Sequence, residues 1–183
     1  ETSKFNPTNP YASSKASAEM IINSYVYSYK LPIIIIRPNN LFGKYQYKEK
    51  VIPKFIYKLL NNKPITIHGD GKQIRDFIYT EEICSAIKFL INKDIIQGTY
   101  NIGIENPIDI NELAFKIFTI IKKNNLTKLT KDNYKIYIKD RLYNDKRYRL
   151  NCNKLLNLGF ESNNNWKKNI TDTVEFYCNT FKN

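Results

Sequence analysis

Tyr11 and Lys15 stand four residues apart in Pro10-Tyr11-Ala12-Ser13-Ser14-Lys15. On a helix that spacing puts both side chains on one face. A phenol titrates near pH 10 and is a poor base at neutral pH. An ammonium about 4 Å away, at an effective dielectric of about 20, favours the phenolate by about 4 kcal/mol. That is enough to bring the phenol into the range where it can act as a general base. The same spacing also describes an ordinary solvated Tyr–Lys pair, and the two residues alone do not choose between these readings.

A second group of residues suits an anion. Arg75 and Arg141 are two of only five arginines among the 29 basic residues. An anionic ligand needs fixed cationic donors, and the planar guanidinium is a better fork for it than an ammonium. Each arginine also has a plainer reading, as the partner of the aspartate beside it (Asp76, Asp140). Asn39-Asn40 suit a turn, and Gly69 and Gly71 read as turn geometry. His68, the only histidine, falls at a strand end and reads as packing rather than catalysis. Trp166, Phe176, Tyr177 and Phe181 read as core.

The elements that must hold these residues follow from local signals. Asn9-Pro10 is a helix start, with Asn at the cap and Pro at the first helical position; the helix runs to about Tyr29, where Leu31-Pro32 breaks it. Ile33–Ile36 is a β-branched run suiting a strand buried on both faces. A loop from Pro38 to Lys50 follows, then a helix from about Ile52 to Asn61. Short strands are expected at Ile65–Ile67 and Phe77–Tyr79. Thr80 is expected to cap a helix reaching about Ile91, with Glu81 and Glu82 in its first turn. Tyr100–Ile102 reads as a strand, and Asp109 or Asn111 as the start of a helix ending at Lys123. Tyr134–Ile138 reads as a strand. Helices close the chain near Asn153–Leu158, with Gly159 as the stop, and near Trp166–Phe181. Helices alternating with single strands predict an α/β fold with a parallel sheet, of which this chain supplies only a part.

Composition narrows the function. At 183 residues, 42% hydrophobic and 25% charged, the chain is long enough for a core. No apolar run approaches the ~18 residues of a membrane span, so no membrane partner is expected. Cys84, Cys152 and Cys178 are odd in number and far apart. They predict no zinc site or other metal centre and no disulfide framework, and with no secretory signal they fit the cytoplasm. The net charge of +12 invites nucleic acid. Against that, the lysines are dispersed, arginine is scarce, and the abundance of Asn, Ile and Lys is what an AT-rich coding sequence produces. No nucleic-acid partner is expected, although a basic surface attracts an anionic small ligand.

Six motifs in order carry a family resemblance. Pro10–Glu19 resembles the Tyr-x-x-x-Lys helix of the extended short-chain dehydrogenase/reductases, an NAD(P)-binding Rossmann-like family. Arg37-Pro38-Asn39-Asn40-Leu41-Phe42-Gly43 resembles the following loop, and Glu49-Lys50-Val51-Ile52-Pro53 the segment that holds the nucleotide. Ile67-His68-Gly69-Asp70-Gly71-Lys72-Gln73-Ile74-Arg75-Asp76-Phe77 is similar to the turn bearing the phosphate-binding arginine. Tyr100-Asn101-Ile102-Gly103 and Asp140–Tyr148 complete the series. The resemblance covers essentially the whole chain. It points to the dTDP-glucose 4,6-dehydratases and the UDP-glucose 4,6-dehydratase domain of plant rhamnose synthases.

The resemblance implies NAD as cofactor, with Tyr11 and Lys15 as catalytic and cofactor-binding residues. It assigns the nucleoside-diphosphate glucose to Asn40, Lys50, Val51, Ile67, His68, Arg75, Arg141 and Asn144, with His68 beside the base. It implies a homodimer through the Tyr11 helix. Residues 1–45 then form the last part of the Rossmann domain. Residues 46–183 form mainly the small mixed α/β substrate-binding domain, with segments returning to the Rossmann domain near 77–102. The family's Gly-x-x-Gly-x-x-Gly loop is not among the 183 residues, and it and a Thr-Asp-Glu catalytic stretch are expected upstream of Glu1. Ile110 and Asn144 replace an asparagine and a histidine of some bacterial dTDP enzymes, which points toward UDP-glucose or a relaxed choice. A decarboxylase or epimerase on the same scaffold, a non-catalytic nucleotide-sugar-binding or dimerisation remnant, and a basic nucleic-acid module are the competing readings.

Overall fold

The computed structural model describes every residue except Tyr143, Asn144, Tyr148, Lys182 and Asn183. In chain order it contains α1 (Pro10–Tyr29), β1 (Ile34–Pro38), β2 (Asn40–Phe42), α2 (Val51–Leu60), β3 (Ile65–His68) and β4 (Ile74–Tyr79). There follow α3 (Thr80–Asn92), β5 (Gly98–Ile102), β6 (Pro107–Asp109), α4 (Ile110–Lys123), β7 (Lys135–Ile138), α5 (Asn153–Leu156) and α6 (Trp166–Thr180).

The helix starts have local causes. Asn9 accepts the Ala12 N–H on its Oδ1 at 2.9 Å, and Pro10 occupies a position that needs no N–H donor. Asp109 does the same for α4, accepting from the Glu112 N–H at 2.7 Å. Thr80 does not cap α3: Tyr79 holds the cap position, and the Thr80 hydroxyl instead donates to the Phe42 carbonyl at 2.8 Å. A threonine beside a neighbouring strand end spends its donor there. α5 stops at Leu156, two residues short of expectation.

The α/β fold with parallel pairing is present, its strands divided among three small sheets in the described residues. β1 pairs in parallel with β5, Ile34 opposite Gly98 and Pro38 opposite Ile102. β3 pairs in parallel with β7, Ile65 opposite Lys135. β4 lies between β2, which is parallel to it, and β6, which is antiparallel. The loop expected from Pro38 to Lys50 thus contains a strand, and β6 is a second one not foreseen. Ile34–Ile36 are half-buried rather than buried on both faces, because β1 has β5 as its only strand neighbour among the described residues.

Two apolar clusters hold the chain together. The larger packs α2, α4 and α6 on β3 through Phe55, Ile56, Leu59, Ile65, Leu113, Ile117 and Val174. The smaller joins α3, β5 and α5 through Ile83, Leu90, Tyr100, Ile102 and Leu155. Each buried Ile or Leu contributes about 1.5–3 kcal/mol against leaving it in water. β4 alternates between them, Phe77 and Tyr79 facing the larger and Ile78 the smaller. Trp166, Phe176 and Phe181 pack against the larger cluster and Tyr177 is inside it, as expected of core aromatics. No helix among the described residues is long and apolar enough to cross a membrane.

Candidate functional site

Between α1 and β1 runs an open groove of about 670 Å³. Its walls include Tyr11 and Lys15 on the helix and Ile33–Pro38 on the strand side. α1 buries none of its residues, and Tyr11 is 74% exposed, so its phenol is reachable from the groove. Among the described residues no hydrogen bond joins the phenol to Lys15. What fixes the helix is Glu19. Arg37, on β1, donates from Nε to Glu19 Oε2 at 3.1 Å and from Nη2 to Oε1. The same guanidinium donates to the Glu1 carbonyl at 3.1 Å and lies over the Phe5 ring, 5.1 Å from its centre. The pair is largely shielded from water, which makes it stronger than an exposed one. Its two halves are 18 residues apart, and nothing in the local spacing announces their union.

From the groove the chain leads directly to Arg75. Arg37 and Pro38 line the groove, and Asn40, two residues on, sits opposite Phe77 of β4. Asn40 is therefore one pleat from Arg75 on the adjacent strand. Arg75 is half-buried and donates from Nη1 to the Ile74 carbonyl at 2.8 Å. Consecutive strand residues point to opposite faces, and Asp76 is buried on the other side, accepting the Asn106 N–H at 3.0 Å.

β3 and β7 end together. His68 closes β3 with its Nδ1 buried and without a hydrogen-bond partner among the described residues. Gly69 and Gly71 turn the chain with φ of +62° and +72°. A Cβ at Gly69 would come within 2.7 Å of Asp140 Oδ2, and one at Gly71 within 2.5 Å of Asn111 Nδ2. Turn geometry and close approach both require glycine here. Asp140 follows β7, and its Oδ1 accepts the Arg141 N–H at 2.8 Å. Ile67 is buried in the core beneath this turn. The fold thus brings His68, Arg75 and Arg141 to neighbouring ends of β3, β4 and β7. Asn144 lies outside the described residues.

Lys50 and Val51 form a separate corner. Lys50 occupies the cap position of α2 with an exposed side chain and makes no side-chain cap bond. The start of α2 is thus without a side-chain cap, and a helix N-terminus is a favourable end for an anion. Val51 packs on the larger core cluster. The loop before Lys50 is held from the far end of the chain: Tyr177 donates its hydroxyl to the Gln46 carbonyl at 2.7 Å, and Gln46 donates to the Leu41 carbonyl at 2.7 Å. Burial raises the Tyr177 pKa above the ordinary phenol value. The lining of the groove does not include Lys50, His68, Arg75 or Arg141. The structure therefore connects the Tyr11 wall to Asn40 and the strand bearing Arg75 through the β1–β2 connection rather than in one cavity.

Known proteins resemble this chain in sequence and in fold. Residues 1–103 match the profile of the NAD dependent epimerase/dehydratase family. The chain is 41% identical over 206 residues to the dTDP-D-glucose 4,6-dehydratase of Dictyostelium discoideum, covering 98% of this chain and 48% of that protein. It is 38% identical to an Arabidopsis thaliana trifunctional UDP-glucose 4,6-dehydratase/UDP-4-keto-6-deoxy-D-glucose 3,5-epimerase/UDP-4-keto-L-rhamnose-reductase, covering 97% of this chain and 26% of that protein. The crystal structure of a Bacillus anthracis dTDP-glucose 4,6-dehydratase in complex with NAD superposes with a TM-score of 0.81 at 33% identity, covering 97% of this chain and 56% of that one. The chain thus spans about half the length, or less, of these relatives.

Proposed function

The chain belongs to the NAD dependent epimerase/dehydratase family, and from that premise we propose that it is the substrate-binding part of a nucleotide-sugar 4,6-dehydratase. The protein it serves converts dTDP-glucose or UDP-glucose to the 4-keto-6-deoxy sugar, in deoxysugar biosynthesis of the rhamnose type. One observation carries the reading. A tyrosine and a lysine four apart wall an open groove at the edge of a parallel strand pair, and the phenol is exposed to whatever enters.

The Lys15 ammonium stabilises Tyr11 as a phenolate, which accepts the proton of the sugar's 4-hydroxyl and becomes neutral. NAD, when bound, supplies the hydride acceptor and donor that oxidise C4 and later reduce C6. The open groove suits it, with Tyr11 and Lys15 as the residues of this chain that would meet its nicotinamide ribose. Asn40, Lys50, Arg75 and Arg141 hold the diphosphate, with Val51, Ile67, His68 and Asn144 along the nucleoside. Binding energy at the diphosphate then positions the sugar ring at Tyr11.

The smaller apolar cluster, with Ile78, Ile83, Leu90, Tyr100 and Ile102, supports a Rossmann part of residues 1–45 with 77–102 beside a substrate part in the remainder, with Phe42, Phe77, Tyr79 and Leu155 packing across the division. The exposed Met20, Ile21, Tyr25, Tyr27 and Tyr29 on α1 support a homodimer through that helix. A cytoplasmic location suits three cysteines that form no disulfide. Ile110 packs against the larger core, so the nucleotide preference is left to the assay. The full protein is incubated with NAD and either dTDP-glucose or UDP-glucose, and the 4-keto-6-deoxy product is followed. Turnover of either supports the reading and gives the preference. Tight nucleotide binding with turnover of neither overturns it in favour of a binding module.

A further inference from the structure

Arg141 is exposed and lies three residues beyond the end of β7, where a long side chain on a short tether would sample many positions. Its backbone, however, is bracketed. Asp140 accepts the Arg141 N–H on Oδ1 at 2.8 Å. The other carboxylate oxygen, Oδ2, accepts from Gln73 Nε2 at 3.3 Å, and the same nitrogen donates to the His68 carbonyl at 3.2 Å. One carboxamide with two N–H groups therefore clips the residue before Arg141 to the end of β3. Gln73 is only 8% exposed, so its end of the clip is shielded, while Asp140 at the other end is exposed and offers a carboxylate acceptor.

A second stitch comes from the next residue. The Ile74 N–H donates to the Lys146 carbonyl at 2.9 Å, and Ile74 forms a parallel bridge with Arg147. Arg141 is thus held through the residue before it by Gln73, and the chain is tied to the same segment again at Lys146 and Arg147 by Ile74. The residue that follows Ile74 is Arg75. Three consecutive residues, Gln73, Ile74 and Arg75, hold one guanidinium and anchor the flanks of the other.

We infer that Gln73 is a positioning residue for Arg141, setting its distance from Arg75 to suit the two phosphates of a nucleoside diphosphate. The spacing in sequence hides this, since Gln73 and Asp140 are 67 residues apart. The positional half of the inference stands on geometry alone, whereas its effect on binding rests on the proposed assignment of Arg141 to the diphosphate.

The test is Gln73→Leu in the full protein, which keeps side-chain bulk and deletes both donors. The Arg141 Nε–H signal in NMR is expected to lose its order and broaden. Affinity for UDP or dTDP, whichever the wild type binds more tightly, is expected to fall about tenfold, the effect of losing one charge-assisted hydrogen bond. KM should rise by more than kcat falls. In an Arg141→Ala background the same substitution should add little, because residues acting through one another are not additive. An Arg141 signal as ordered as in the wild type overturns the inference, as does a full tenfold loss in the Arg141→Ala background. A loosened Arg141 with unchanged nucleotide affinity keeps the positioning role and overturns the diphosphate assignment instead. If Gln73→Leu fails to fold, Asp140→Ala removes the same clip from its exposed side and is read against the same outcomes.

Discussion

The Tyr177 hydroxyl donates to the Gln46 carbonyl at 2.7 Å, joining residues 131 positions apart. It is also 3.3 Å from the Gly43 carbonyl. The last helix thereby clamps the loop that delivers Lys50 to the start of α2. Tyr177→Phe keeps the ring contacts with Phe176 and Phe181 and removes only the donor. The expected cost is about 1–2 kcal/mol, the effect of leaving a shielded acceptor unmet. Thermal melting followed by circular dichroism should move down by a few degrees. An unchanged melting temperature would mean that water replaces the phenol at no cost.

The same residue predicts a response to alkali. Burial raises the pKa of Tyr177. Burial, then the nearby Glu81 and Asp172 carboxylates, raise that of Tyr79. A phenol with a raised folded-state pKa keeps its proton more tightly when folded. Its contribution is whole below the unfolded value near pH 10 and is lost as pH rises through the folded value. Urea unfolding between pH 8 and pH 11 should show stability holding until about pH 10 and then falling. The decline should be shallower in Tyr177→Phe than in wild type; equal slopes would refute the linkage.

Glu19 and Arg37 supply a third prediction. Removing one partner leaves a shielded charge uncompensated, at a cost between that of an exposed pair and a buried one, about 1–3 kcal/mol. Since α1 buries no residue, the effect of Glu19→Ala should stay local. Amide hydrogen exchange should accelerate along α1 and leave α4 unaffected. Glu19→Ala combined with Arg37→Met should recover part of the loss. Acceleration spread evenly over both helices would show that the pair supports the whole fold.

The proposed roles separate kinetically. Tyr11→Phe deletes the proton acceptor and should lower kcat by about 10²–10⁴-fold while leaving UDP and dTDP affinity near wild type. Arg75→Ala should do the reverse, weakening nucleotide binding with a smaller effect on kcat. The two are read by steady-state kinetics and calorimetry of the full protein. A Tyr11→Phe variant with near wild-type kcat removes Tyr11 from the chemistry.

Elements with local causes were legible in the sequence. α1 begins at Pro10 because Asn9 caps it, and α4 begins at Ile110 because Asp109 does the same. The glycine turn at Gly69–Gly71 follows from residue type alone. β2 and β6 did not, because three residues are too few to display an alternation; each exists through pairing with β4. The site divides in the same way. The proposed pair Tyr11 and Lys15 suggests itself by spacing, whereas Arg75 and Arg141 stand out among five arginines only through the motifs that hold them. Their supports, Glu19 with Arg37 and Gln73 with Asp140, are contacts across 18 and 67 residues that no local pattern encodes.

β4 faces both apolar clusters, with Phe77 and Tyr79 in one and Ile78 in the other. A strand shared in this way is a party wall, and neither side can melt without stripping the other of part of its lining. Cutting Ile78 down to alanine should therefore be felt by Phe77 and Tyr79 through the backbone they share. The two clusters should lose their packing together, and the strand that couples them carries Arg75 within it.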